Sequence, residues 1–203
     1  MPILLPSLLT FAPMFSPLFN YLQLFRSIPQ VDRELISQSL VYRHVKEGDV
    51  LLQEGKVARE LFFICKGVIK ITTVNDKGKD VTHFFLRENQ FTTILHSFNN
   101  NTPAAESIIA ACDAEVLVIS KAALMDIYEK LPYLKELITG IQQQALLDKI
   151  QLRNAFLGED ASARYRLFLM RQPDVALRVP LGDIASYLGV TQQSLSRIRR
   201  TAR

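Results

Sequence analysis

Residues 179–200, VPLGDIASYLGVTQQSLSRIRR, decide how the rest of the chain is read. Ile184, Ala185 and Leu188 fall on one face of a first short helix, and Leu195 and Ile198 on one face of a second. Gly189 stands where the chain must turn sharply, and glycine takes a positive φ there at little cost. Val190 fills the corner. Thr191 can cap the second helix, because its hydroxyl accepts one of the orphan backbone N–H groups. Ala185 faces the turn, where a larger side chain would push the helices apart. These offsets describe a helix-turn-helix, a unit whose second helix enters the DNA major groove.

The other side chains of the second helix are polar or basic: Gln192, Gln193, Ser194, Ser196, Arg197, Arg199 and Arg200. Glutamine can bond adenine on two edges, and arginine can do the same for guanine. Cations near a helix C-terminus also suit its dipole. A solvated face on an ordinary helical hairpin is the plainer alternative. The small residue, the glycine, the apolar corner and the cap at fixed offsets favour DNA.

Immediately before this unit, Phe156, Leu157, Tyr165, Leu167, Phe168 and Met170 predict a helix ending before Pro173, followed by a connector over 175–179. Further upstream, Leu134, Ile138, Ile141, Ala145, Asp148, Leu152 and Ala155 recur at alternating three- and four-residue steps. That spacing is a coiled-coil seam of about three heptads; a helix packed on its own domain is the plainer alternative, and the length of the seam between two domains favours pairing with a second copy of the chain. Asp148 is its one charged intruder. A short helix over 121–130 precedes Pro132, which can open the long one.

Residues 41–120 change period. VYRHV, DVLLQEG, ELFFICKG, VIKITTV, DVTHFFL and EVLVIS are short β-rich runs separated by turn signals, a pattern of sandwiches and barrels rather than parallel sheets. Asn75-Asp76-Lys77-Gly78 reads as a hairpin loop. SFNNNTPAAES interrupts the strands with a helix-like turn and a polar loop. Residues 14–40 predict one or two amphipathic helices that restart near Pro29, with Asp32 or a neighbour as cap.

Composition bounds the remaining classes. The 203 residues suffice for one large or two modest domains, and the net charge of +4 owes most of its excess to Arg197, Arg199, Arg200 and Arg203. Cys65 and Cys112 form no C-x-x-C pair and cannot supply the four ligands of an iron–sulfur cluster; buried thiols in a reducing cytosol are expected. The first 25 residues carry no charge, yet prolines at 2, 6, 13 and 17 break any spanning helix. No basic segment opens a signal peptide. Residues 1–13 are read as a disordered extension, with Met14 as the start. His44, His83 and His96 lack ligand or triad spacing, and there is no phosphate loop or nucleophile motif. An enzyme is not expected, nor is any metal site.

The order β-roll, long helix, helix-turn-helix resembles the Crp/Fnr family of bacterial transcription regulators. The stretch VKEGDVLLQEGKVARELFFICKGVIKIT resembles its cyclic-nucleotide-binding β-roll, with Gly48, Gly55 and Gly67 at the turns. VPLGDIASYLGVTQQSLSRIRR is close to the DNA-reading motif of a Crp-like branch, whose N-terminus MFSPLFNYLQLF also resembles. The likeness covers roughly residues 14–203. It implies an α+β chain: an N-terminal antiparallel β-roll of double-stranded β-helix or jelly-roll type over 14–130, a dimerisation helix over 131–155, and an all-α helix-turn-helix domain over 156–203. The dimer seam is then Leu134, Ile138, Ile141, Ala145 and Leu152.

The resemblance also implies a homodimeric cytoplasmic regulator whose partners are a double-stranded DNA operator, its own copy and, as a further candidate, RNA polymerase. Gln192, Gln193, Ser194 and Arg197 would face base edges; Thr191, Ser196, Arg199 and Arg200 would lie nearer phosphates. Nucleotide-binding members carry Gly-Glu at the end of a strand and, further on, Arg-Ser/Thr-Ala, which hold the ribose and the cyclic phosphate. Here those positions read Phe91-Thr92-Thr93-Ile94 and Pro103-Ala104-Ala105-Glu106-Ser107, so Phe91, Thr92, Thr93, Ala104, Ala105 and Glu106 are the candidate pocket. No arginine occurs between Arg87 and Arg153. Ordinary cyclic-nucleotide binding is therefore expected to be lost, and no cofactor is predicted. Two alternatives stand: a regulator that takes cyclic AMP or another small effector through altered contacts, and a β-roll interaction protein that no longer reads DNA. The β-hairpin wing that many members carry after the recognition helix is not expected.

Overall fold

The computed structural model describes residues 13–201, so the expected extension and start lie outside the described residues apart from Pro13 and Met14. A 3₁₀ turn at Pro13–Phe15 leads into α1 (Ser16–Gln23) and α2 (Gln30–Gln38). Asp32 sits in the first turn of α2 and does not cap it; its carboxylate accepts the Tyr133 hydroxyl at 2.5 Å. The strands follow: β1 (Val41–Val45), β2 (Val50–Leu52), β3 (Glu60–Lys66), β4 (Ile69–Val74), β5 (Asp80–Leu86) and β6 (Phe91–Thr92). The short α3 (Leu95–Asn100) precedes β7 (Ser107–Ala110) and β8 (Ala114–Ser120). The chain then turns helical through α4 (Lys121–Lys130), α5 (Pro132–Phe156), α6 (Ala161–Arg171), α7 (Pro173–Arg178), α8 (Leu181–Tyr187) and α9 (Gln192–Thr201).

Two four-stranded antiparallel sheets, β1-β8-β3-β6 and β2-β7-β4-β5, make the roll. Its strands are short and joined by tight turns. At the β4–β5 hairpin, the Asn75 side chain accepts the N–H groups of Lys77 and Lys79, and Gly78 takes φ +69°. The run Leu61-Phe62-Phe63-Ile64 in β3 is buried throughout because both faces of that strand are covered. Tyr21 of α1 reaches Phe63 with ring centroids 5.9 Å apart, and Phe91 of β6 reaches it at 5.0 Å. A second apolar cluster joins Val68, Phe85 and Ala111 of the roll to Tyr165, Phe168, Val175, Ile184, Leu188 and Leu195 of the C-terminal helices. The helix-turn-helix therefore shares a core with the outer face of the second sheet.

Three sequence expectations are corrected. Residues 175–179 are not a connector: Pro173 opens α7, and Val175 is fully buried in the second cluster. Phe156 and Leu157 do not begin the next helix. Phe156 closes α5, and α6 starts afresh where the Asp160 carboxylate caps the Ala163 N–H at 2.8 Å. The five seam residues do not form one free face. Leu134, Ile138 and Ile141 are buried in their own chain against α4 and the roll, at 2%, 5% and 7% exposure, so no copy can reach them. Ala145 and Leu152 turn toward Phe85 and Arg87 across a cleft, and Asp148 lines that cleft too. The apolar residues that α5 leaves to solvent are Leu146, Leu147 and Ile150, at 50%, 52% and 48% exposure.

Among the described residues, no helix is long and apolar enough to cross a membrane. The three histidines are scattered and exposed: His83 bonds the Thr73 hydroxyl at 2.7 Å, His96 contacts Asn100, and His44 lies edge-on to Tyr42. Both cysteines are free and half-buried. Burial pushes the Cys65 thiol up to about 11 and raises that of Cys112 as well, which keeps both in the unreactive protonated form.

Candidate nucleic-acid interface

The turn between α8 and α9 is held by backbone hydrogen bonds. Gly189 adopts φ +67° and donates to the Ser186 carbonyl at 3.1 Å, and Val190 donates to the Ala185 carbonyl at 2.9 Å. A side chain larger than alanine at 185, which is 2% exposed, would separate the helices. The Thr191 hydroxyl accepts the Ser194 N–H at 3.1 Å and so caps α9. Leu195 is fully buried and Ile198 packs beside it, which fixes how α9 is rotated.

That rotation sorts the polar residues. By helical periodicity, Gln193, Arg197 and Arg200 lie opposite the buried Leu195–Ile198 edge. Gln192 and Arg199 lie on the flank toward α8: the Gln192 Oε1 sits near Gly182, and Arg199 borders a shallow cleft with Leu181, Ser196 and Arg200. Ser194 bonds the Thr191 hydroxyl at 2.9 Å. Thr191, Gln192, Gln193, Ser194, Arg197, Arg199 and Arg200 are exposed and Ser196 is half-buried, so all eight candidates lie on one solvent-facing helix and its cap. Among the described residues none of the three arginines is in an ion pair.

α8 presents its opposite side to the roll. Lys70 and Asp183 pair at 2.7 Å with only 13% and 20% of their side chains exposed. The Ser186 hydroxyl accepts the Thr82 N–H at 3.0 Å and donates to the Asp80 carbonyl. Tyr187 packs on Phe85 and Phe168. Just upstream, the Arg178 guanidinium forks onto Glu88, whose carboxylate also accepts the Gly67 N–H at 2.7 Å. Burial pushes the Glu88 carboxyl up, but the hydrogen bonds from Arg178 and from backbone N–H groups, with the Arg178 charge, outweigh it and hold the group below its ordinary value. Arg87 adds a pair with Asp174 at 2.7 Å. These partners are 87 to 113 residues apart in the chain, and no local pattern in the sequence marks them.

The six pocket candidates of the roll sit in different surroundings. Phe91 faces a cleft against α1 and α5. Thr92 is buried with its hydroxyl unpartnered, whereas the Thr93 hydroxyl donates to the Glu60 carbonyl at 2.9 Å. Ala104 is buried and bonded through its backbone to Gly55 and Lys56, while Ala105 is exposed and Glu106 half-buried. The Lys121 ammonium bonds the Phe98 and Asn99 carbonyls and the Asn101 side chain, so it is occupied in closing the α3 turn.

Residues 42–130 match the cyclic nucleotide-binding domain family. No curated protein is similar to the chain by sequence. Solved structures share its fold at low identity. The c-di-GMP-responsive global regulator CLP of Xanthomonas campestris is 14% identical, with 86% of this chain and 91% of that one covered at a TM-score of 0.67. FixK2 of Bradyrhizobium japonicum is also 14% identical, covering 80% and 83% at 0.68. A protein from Eubacterium rectale described as a Crp/Fnr-family transcriptional regulator is 18% identical, covering 90% and 87% at 0.69. The architecture, an antiparallel β-roll followed by a long helix and C-terminal helices, is thus the Crp/Fnr fold.

Proposed function

We propose that this chain, a cyclic nucleotide-binding-type β-roll joined to a helix-turn-helix in the Crp/Fnr fold, is a sequence-specific DNA-binding transcription regulator that works as a homodimer. The observation that carries the reading is the free polar face of α9. Three arginines without acidic partners among the described residues and two exposed glutamines stand on a helix whose opposite edge is locked into a core, a geometry that suits the major groove. Arg197 and Gln193 face base edges, and Arg199 approaches phosphates. Replacing Arg197 by alanine should weaken binding to a selected duplex by about 1–3 kcal/mol and relax specificity at one position. Replacing Arg199 by alanine should weaken selected and random duplexes alike and lower the salt dependence, since phosphate contacts carry no sequence information. Fluorescence anisotropy on both duplexes separates the two effects, and unchanged affinity in both variants would overturn the reading.

The second copy meets the exposed stripe Leu146, Leu147 and Ile150 on the outer side of α5, not the buried seam. The domain limits in this reading are a roll over 14–130, a dimer helix over 131–155 and a DNA-reading domain over 156–203, the last boundary falling one residue before the end of α5.

The roll no longer clamps a cyclic nucleotide in the family's manner. A cyclic phosphate in a partly dry pocket needs a charged fork, which arginine supplies with parallel charge-assisted bonds. Ala104 and Ala105 supply neither charge nor side-chain donor, Thr93 is already bonded to Glu60, and Lys121 to carbonyls. Losing such a clamp costs several kcal/mol, which takes a micromolar ligand to about millimolar. Cyclic AMP and cyclic GMP titrated calorimetrically into the full chain should give no saturation at micromolar concentration; saturation there would overturn this part of the proposal.

A further inference from the structure

Where β5, α5 and the helix-turn-helix meet, a cleft of about 300 Å³ opens beside the Gly189 turn. Its charged lining residues are Lys149, Arg153 and Arg164, and it contains no carboxylate. Among the described residues none of the three is in an ion pair. Arg164 holds its Nε buried without an acceptor, and its Nη1 lies 3.5 Å from where a Cβ on Gly189 would stand. Lys149 lies over the Phe84 ring, 5.2 Å from its centroid, and burial holds its ammonium below the ordinary lysine range. The Asp160 carboxylate, which feels the Arg164 charge, already caps the Ala163 N–H. Cations gathered this way repel one another, and a buried guanidinium N–H without a partner is costly. Phe84, Phe156 and Tyr187 form the apolar side of the same cleft, with Phe156 and Tyr187 edge to face at 5.8 Å.

We infer that this cleft is a binding site for a small organic phosphate of nucleotide size, its phosphate held by Lys149, Arg153 and Arg164 and its ring by the aromatic wall. Three cations match a group with two or more negative charges, such as a terminal phosphate or diphosphate, better than the single charge of a cyclic phosphate. The volume lies at the small end of ligand pockets. The walls come from the roll, the long helix and the helix-turn-helix, so an occupant stiffens the joint between sensor and reader. Binding itself does not rest on the DNA reading and is measured without DNA.

Adenosine diphosphate and inorganic pyrophosphate, titrated into the full chain by calorimetry, distinguish a nucleotide from a bare anion. Adenosine diphosphate should bind in the micromolar range, and pyrophosphate about tenfold or more weakly because it lacks the ring. Lys149→Gln and Arg153→Gln should each weaken adenosine diphosphate about tenfold or more, as expected for loss of a charge-assisted contact. Arg171→Gln, outside the cleft, should leave binding unchanged, and equal melting temperatures would show that the variants fold. No binding of either probe up to millimolar, or equal binding in the two cleft variants, would overturn the inference. So would variants that lose only affinity for duplex DNA, because the basic cluster would then be a contact for duplex phosphates.

Discussion

Replacing Gly67 by alanine should be among the most damaging single substitutions in the roll, with a loss of about 3–5 kcal/mol made up of backbone strain and overpacking. Gly67 takes φ +93°, where an L side chain is strained. A Cβ there would stand 2.5 Å from both the Ala114 Cβ and the Asp113 carbonyl oxygen and 2.7 Å from the Ala114 Cα. Those atoms are backbone or nearly so and cannot rotate away. The Gly67 N–H also donates to Glu88, which receives the Arg178 fork, so a shift at the turn loosens the dock between roll and helix-turn-helix. Gly55 is the control. Its φ of +83° carries similar strain, but a Cβ would meet nothing within 4 Å, so Gly55→Ala should lose only about 1–2 kcal/mol. Urea midpoints at constant m-value measure both. Equal losses at the two sites would show that the close approach at Ala114 does not matter.

The elements legible in the sequence were those whose signal is local. The helix-turn-helix was readable because Ala185, Gly189, Val190 and Thr191 each meet a steric or hydrogen-bonding demand within a few residues. The longer strands were readable from β-rich runs and glycine turns. β6 and β7 were not. Phe91-Thr92 is too short for a periodic signal, and Ser107–Ala110 follows a polar loop and is paired by strands far away in sequence, β2 and β4. Which residues of α5 stay exposed was not legible for a different reason. A three-four repeat of Leu134, Ile138, Ile141 and Ala145 says that one face is apolar, not whose surface covers it. Here the chain's own roll and α4 cover it, and the apolar residues that α5 leaves exposed begin at Leu146. The ion pairs Lys70–Asp183 and Glu88–Arg178 left no sequence signal, because a charge reveals nothing of a partner about a hundred residues away. The cation cluster around Arg164 was hidden likewise, split between α5 and α6.

Replacing Ile150 by aspartate should convert a dimer to a folded monomer and remove most operator affinity. Ile150 and Leu146 are four residues apart on the face of α5 turned from the roll, with Leu147 beside them, and all three stay about half exposed in the single chain. Leaving such a stripe to water is unfavourable at about 25 cal/mol per Å² of apolar surface. A second α5 across a two-fold axis covers it with the same residues. An aspartate there rests harmlessly in solvent in the monomer. In the dimer it buries an uncompensated charge, one from each copy, which costs about 3–5 kcal/mol or at least a hundredfold in the association constant. Duplex binding then falls further. Two helix-turn-helices on one dimer bind two half-sites with an effective-concentration gain of about 10²–10⁴, and a monomer forfeits it. Ile141→Asp provides the contrast. Ile141 is 7% exposed and buried within its own chain, so a charge there should lower the melting temperature steeply instead of yielding a stable monomer. Sedimentation equilibrium with thermal unfolding on both variants reads the difference. A dimeric Ile150→Asp protein, or a well-folded monomeric Ile141→Asp protein, would return the interface to the buried seam and remove the exposed stripe from the proposal.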